Sequence, residues 1–264
     1  MNHITGFIGA GNMGGSILCG AVSSGVFKPE NILVNSLAVS EKVKKLNINV
    51  TNLKELVNKS DYIILCVKPQ GFESLLGDIK EIDGYDTKVY VSIAAGVTID
   101  YIKSILGDVK VIRTMPNLPL SAGGGMTVIA PDTKAEEDEI AFAEKLFSAS
   151  GKTLRIAEES INAYTAISGS GPAYAFMFIE ALADGAVRCG IPRREAYTVA
   201  AQTLYGSALM QMETGIHPGE LKDMVCSPGG TTIDAVASLE ASGFRDAVLE
   251  AVDACLKKAE KMKK

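Results

Sequence analysis

Gly9, Gly11 and Gly14 stand in the stretch Gly6-Phe7-Ile8-Gly9-Ala10-Gly11-Asn12-Met13-Gly14, which follows an apolar run and opens an apolar helical pattern. No other feature narrows the fold as much. G-x-G-x-x-G at a strand-to-helix junction is the layout of a dinucleotide-binding turn. The first glycine permits the tight turn, the second lets a pyrophosphate approach the backbone, and the third lets the helix pack against the strand. The helix start then presents free N–H groups to phosphate. The motif is weak by itself, but here it follows a strand read at His3 to Ile8 and precedes a series of βα repeats.

Residues 1–157 alternate short β-rich runs with amphipathic segments. Strands are expected near His3 to Ile8, Asn31 to Asn35, Asn47 to Val50, Asp61 to Val67, Lys88 to Ala94 and Val109 to Thr114. Such alternation gives parallel strands joined by right-handed crossovers, hence an α/β Rossmann domain with a doubly wound, mostly parallel sheet. A hairpin-like pair, Met126 to Ala130 and Thr153 to Ala157, is expected to flank the acidic helix Lys134 to Phe147. Residues 158–264 change period and read as helices separated by Gly and Pro, so the second domain is all-α. Pro172 to Ile179 is apolar around its whole circumference, which the surface of a monomer does not tolerate. A second subunit is expected to cover it, burial within its own domain being the alternative.

Composition excludes several classes. Among 264 residues with 47% hydrophobic content there is no apolar run long enough to span a bilayer, and the start at Met1-Asn2-His3-Ile4 does not resemble a signal peptide. A net charge of -5 argues against general nucleic-acid affinity, and Lys257, Lys258, Lys261, Lys263 and Lys264 read as a solubilising helix end. Cys19, Cys66, Cys189, Cys226 and Cys255 form no C-x-x-C pair, which implies a reducing, cytoplasmic setting without a disulfide framework. With only His3 and His217 available as imidazoles, no metal centre is expected.

Chemistry in a doubly wound sheet gathers beyond the strand ends. Val67-Lys68-Pro69 and Ala94-Ala95-Gly96 fall on the same rim as the glycine turn, and small residues at 94–96 would let a flat ring lie close to the backbone. Lys68 reads equally well as a solvated loop lysine. The second strand ends at Asn35-Ser36, without the carboxylate that reads a ribose 2′-hydroxyl, so NADPH is favoured while NADH stays open. Ser227-Pro228-Gly229-Gly230-Thr231-Thr232 places glycines and threonines at a helix start, an array of N–H groups with hydroxyl caps suited to a small carboxylate, or simply a capped helix. Ser168-Gly169-Ser170-Gly171-Pro172 reads as another helix start, with proline at its first position.

Taken together, these segments, with Arg113-Thr114-Met115-Pro116-Asn117 and His217-Pro218-Gly219, resemble the pyrroline-5-carboxylate reductases over essentially the whole chain. The resemblance implies reduction of 1-pyrroline-5-carboxylate to L-proline with NADPH (sometimes NADH), in dimers whose helical domains interlock and which often gather into decamers. It implies cofactor contacts at Ile8, Gly9, Ala10, Gly11, Asn12, Met13, Asn35, Ser36, Val67, Lys68, Pro69, Ala94, Ala95 and Gly96. Substrate would meet Ser227, Gly229, Gly230, Thr231 and Thr232, with Glu158 nearby. Gly229 and Gly230 N–H groups would clamp the carboxylate, Thr232 would act at the ring nitrogen, and Glu158 would favour the cationic imine. Two positions depart from the family pattern, Leu53 beside Asn52 and Met224. A hydroxyacid dehydrogenase would need a lysine in its first long helix, and Ala173 to Val187 contains none. A nucleotide-sensing protein without turnover is the reading from another class.

Overall fold

A computed structural model describes residues 3–262; Met1, Asn2 and the last two lysines of the C-terminal cluster, Lys263 and Lys264, lie outside the described residues. The strands β1 (Thr5–Ile8), β2 (Ile32–Asn35), β3 (Asn49–Val50), β4 (Tyr62–Leu65), β5 (Val89–Ser92), β6 (Lys110–Met115), β7 (Gly125–Pro131) and β8 (Gly151–Arg155) form one sheet. Their order is β3-β2-β1-β4-β5-β6-β7-β8, and β1 to β6 run parallel. Helices α1 (Asn12–Ser23), α2 (Glu41–Lys44), α3 (Leu53–Lys59), α4 (Phe72–Lys80), α5 (Ile99–Leu106) and α6 (Glu137–Ser148) cover its two faces.

The apolar runs explain this layering. Along β4, Tyr62 and Ile64 join the core with α1 and α6 residues such as Ile17, Leu18 and Phe142. Ile63 and Leu65 join the core with Leu56, Leu76 and Ile102 of α3, α4 and α5. Alternate side chains of a strand point to opposite faces, so an unbroken apolar strand is buried on both. The sheet therefore has the Rossmann arrangement expected, with its switch point between β1 and β4.

The last two strands differ from expectation. β7 and β8 are not a hairpin but pair in parallel, Val128 opposite Leu154, because α6 lies between them and returns the chain to the same end of the sheet. The reversal falls one connection earlier, where β7 runs antiparallel to β6. A 3-10 turn, Leu118–Ala122, and Gly123 at φ +79 turn the chain there.

The chain divides into two compact units by its internal contacts. Residues up to Ser170, together with the segment from Cys255, form the first, and Gly171–Ala254 form the second. The stretch after 158 stays with the sheet because Ile161 packs with Val128 and Ala130, while Asn117 Nδ2 donates to the Ser168 carbonyl at 2.8 Å.

Residues 168–172 are also not a fresh helix start. After α7 (Ile161–Tyr164) a π turn, Thr165–Gly169, runs on into α8 (Gly171–Arg188). Pro172 has no N–H to offer the Ser168 carbonyl one turn back, so the backbone ladder shifts and the Asn117 amide supplies the missing donor.

The second unit holds α8, α9 (Arg193–Thr214), α10 (Pro218–Val225), α11 (Thr231–Ala241) and most of α12 (Phe244–Lys261). Its own core is small: Ala183, Ala196 and Ala200 are buried, with Ile179, Ala186 and Val187 packed against them. Phe176, Met177 and Tyr205 stay 53%, 69% and 61% exposed. The single chain thus leaves uncovered the apolar helix that burial within its own domain would have enclosed.

Candidate active site

The glycine turn has the geometry its spacing implies. Gly9 sits at φ +97, and its N–H donates to the Asn35 carbonyl at 2.7 Å. A side chain at Gly14 would strike the Gly9 carbonyl at 2.4 Å and Cys66 Cβ at 2.8 Å, so helix and strand close up only because glycine stands there. Gly11 is the opposite case: a Cβ would meet nothing within 4 Å, and the residue is exposed at the N-cap of α1. No side chain caps that helix and no carboxylate stands in its first turn. An anion can therefore approach free N–H groups at the positive end of the helix dipole.

Around this turn the first unit gathers the other residues expected to hold a cofactor. In register, Ile8 lies between Asn35 and Leu65, which brings Val67, Lys68 and Pro69 beyond β4 beside the turn. Asn35 and Ser36 are engaged rather than free. Asn35 Nδ2 donates to the Thr51 carbonyl at 2.9 Å, and Ser36 Oγ accepts from Ala10 N at 3.0 Å while donating to the Ala38 carbonyl at 2.8 Å. These two side chains shape the loop first. Asn52 caps α3, accepting from Glu55 N at 2.9 Å, so its neighbour Leu53 is simply the first helical residue.

A cavity of about 830 Å³ runs along α1, and its lining includes Gly11, Asn12, Met13, Ser40, Lys42 and Leu118. It shares only Gly11, Asn12 and Met13 with the expected cofactor residues. Lys42, the second residue of α2, lines this cavity and was not singled out in the sequence. Cys66 lies under the turn, and burial pushes its thiol up to about 12.

Ala94, Ala95 and Gly96 leave the end of β5. Ser92 holds the start of this loop: its hydroxyl accepts from Ala94 N at 3.3 Å and its carbonyl accepts from Thr114 Oγ1 at 3.1 Å. Gly96, at φ +77, lies against the backbone of Met262.

Glu158 is not a free carboxylate. Its Oε1 accepts from Arg113 Nη1 at 2.9 Å and from Ile99 N at 2.8 Å. It belongs to the first compact unit, whereas Ser227 to Thr232 belong to the second.

In that second unit Gly229 adopts φ +67 and α11 begins at Thr231. The Gly230 N–H closes a turn onto the Ser227 carbonyl at 3.0 Å, so it is not one of the free donors. Those are the first-turn N–H groups of α11, Thr231 and Thr232, which have no helical partner. Gly230 is the N-cap, and no hydroxyl caps the helix, contrary to the expected capped array. Among the described residues the Thr232 hydroxyl has no hydrogen-bond partner, which leaves it available to a ligand.

The chain is similar to known proteins along its whole length. A family model described as pyrroline-5-carboxylate reductase dimerisation matches residues 158–262, and one described as NADP oxidoreductase coenzyme F420-dependent matches residues 4–96. The pyrroline-5-carboxylate reductase of Escherichia coli strain K12 is 47% identical over 270 residues, covering 100% of both chains. That of Methanosarcina acetivorans is 43% identical, over 95% of this chain and 94% of the relative. Among solved structures, a pyrroline-5-carboxylate reductase from Coxiella burnetii superposes with a TM-score of 0.93 at 31% identity, covering 100% of both chains. The Plasmodium falciparum pyrroline carboxylate reductase, solved with NADP bound, gives a TM-score of 0.90 at 30% identity over 100% of this chain and 99% of its own.

Proposed function

The chain belongs to the pyrroline-5-carboxylate reductase family and reduces 1-pyrroline-5-carboxylate to L-proline, and we propose that it does so with NADPH in preference to NADH. One observation carries the preference. The end of β2 presents Asn35 and Ser36 instead of a carboxylate, and Lys42 lines the same cavity as Gly11 to Met13. A 2′-phosphate would meet the Lys42 cation there, while Glu41, which lines the same cavity, is paired with Lys44. Steady-state kinetics with both cofactors test it: kcat/KM should be higher with NADPH, and Lys42→Ala should lower the NADPH value while sparing NADH. Equal or better kcat/KM with NADH would overturn it.

The glycine turn fits a dinucleotide on its own terms: open space above Gly11, uncapped N–H groups, and a helix that only Gly14 allows so close. A bound nicotinamide supplies the hydride. This chain's residues do the remaining work. The turn Gly9 to Met13 fixes the pyrophosphate, Val67 to Pro69 and Ala94 to Gly96 flank the rest of the cofactor, and the α11 start holds the substrate carboxylate. Ser227 and Gly229 shape that loop, and Gly230 closes its turn. Thr232 offers its hydroxyl to the ring nitrogen as that atom changes from imine to amine. A protonated imine is already electrophilic, so the step needs alignment more than acid catalysis, and a site without histidine suffices.

On the same reading residues 158–264 serve substrate binding and self-association, in dimers that assemble further, as in decamers. The exposed Phe176, Met177 and Tyr205 and the match to a dimerisation family support this. Among the described residues no helix is long and apolar enough to cross a membrane. Five free thiols support a cytoplasmic location.

A further inference from the structure

The loop Ile93 to Thr98 is held at its start by β6 and at its far end by Glu158, which β6 grips through Arg113. At its start, Thr114 donates to the carbonyl of Ser92, whose own hydroxyl accepts from Ala94 N. At its far end, Ile99 N, the first helical N–H of α5, donates to Glu158, and Glu158 is gripped by Arg113. The arginine is almost wholly enclosed, its side chain 5% exposed, and its Nε has no partner. A cation so desolvated is tolerated because the carboxylate lies against it. The carboxylate is in turn suited to the positive end of α5.

We infer that Glu158, set by Arg113, is a positioning residue for the cofactor loop Ala94 to Gly96. This rests on the reading that the loop flanks the nicotinamide half of the cofactor. Both contacts of Glu158 fall on one carboxylate oxygen, which joins the Arg113 guanidinium to the N–H that starts α5. Its measurable effect therefore passes through the loop.

Fluorescence titration with NADPH, combined with steady-state kinetics and melting temperature, tests it on the full-length protein. Glu158→Ala should weaken NADPH binding about tenfold and raise its KM, with kcat at saturating NADPH changed about twofold at most. Glu158→Gln, whose amide oxygen still accepts from Ile99 N, should recover most of that affinity even though its melting temperature falls. Arg113→Ala and the double variant Arg113→Ala/Glu158→Ala should weaken NADPH no more than Glu158→Ala alone, since both act through one contact. If Glu158→Ala does not fold, Glu158→Asp carries the same test, because it keeps the charge beside Arg113 but withdraws it from Ile99.

Unchanged NADPH affinity in folded variants would overturn the inference, leaving the pair a structural one. Loss of kcat in Glu158→Gln as deep as in Glu158→Ala would overturn it in favour of a charge acting on substrate. Ala95→Phe separates this from failure of the loop reading. If a ring placed in the loop leaves NADPH affinity intact, the loop does not hold the cofactor, and the inference falls with that reading.

Discussion

At the scale of single residues the site depends on a few atoms whose freedom or confinement is visible. Among the described residues the Thr232 hydroxyl has no partner, and the N-cap of its helix is Gly230, so removing the hydroxyl strips no cap. Thr232→Val should keep the melting temperature close to wild type and lower kcat about tenfold or more, with NADPH affinity little changed. Wild-type kcat in that variant would make the loop a carboxylate-binding helix start only. Cys66 gives a pH-dependent counterpart. Its thiol is pushed up to about 12 by burial, against 9.0 when exposed, so the unfolded chain loses this proton first. Stability contributed by the protonated thiol is complete below pH 9.0 and declines as pH rises towards 12. Tyr62 is also raised to about 12, chiefly by burial, and adds to the same decline. Denaturation across this range should show a shallower fall for Cys66→Ala than for wild type; identical slopes would mean that Cys66 does not contribute. Glycine roles were legible in the sequence because backbone geometry admits one residue type at Gly9 and Gly14. The engagement of Glu158 was not, since Arg113 and Ile99 come to it from distant parts of the chain and only the folded sheet joins them.

Among elements, β1, β2, β4 and β5 were readable because they are buried apolar runs between helical patterns, whereas β3 is two exposed residues. The β7–β8 pairing was misread although a helix between the strands was expected, because that helix carries the chain back to the same end of the sheet and so makes the pair parallel. The passage from α7 to α8 was misread as well. Proline after Ser-Gly-Ser-Gly looks like a start, yet the Asn117 amide replaces the N–H that Pro172 lacks and lets the helix continue through a π turn. Asn117 also accepts from Met126 N at 2.9 Å, so one side chain ties β6, β7 and that turn together. Asn117→Ala should leave the Ser168 carbonyl and the Met126 N–H unsatisfied and cost about 1–3 kcal/mol in urea unfolding. A loss below about 0.5 kcal/mol, the level of a neutral surface change, would show that the amide is not needed there.

For the whole molecule, the disparity between the units is the informative feature. The sheet unit has two well-filled cores, whereas the helical unit buries three alanines and leaves Phe176, Met177 and Tyr205 open. Uncovered apolar area on this scale is stabilised by a second copy. Light scattering should return at least twice the chain mass of 27.8 kDa, and Met177→Glu should shift the population towards monomer. A stable wild-type monomer at micromolar concentration would refute association through α8. The central claim is that this chain turns over 1-pyrroline-5-carboxylate by hydride transfer from a nicotinamide dinucleotide whose pyrophosphate is held at Gly9 to Met13. It is tested most directly by following reduced-nicotinamide absorbance and proline together in one reaction with NADPH. The expected result is one proline formed for each NADPH oxidised, with both signals abolished when Gly11→Trp fills the open space above the turn. Binding of NADPH without oxidation in the presence of the imine, or turnover that survives Gly11→Trp, would contradict the account.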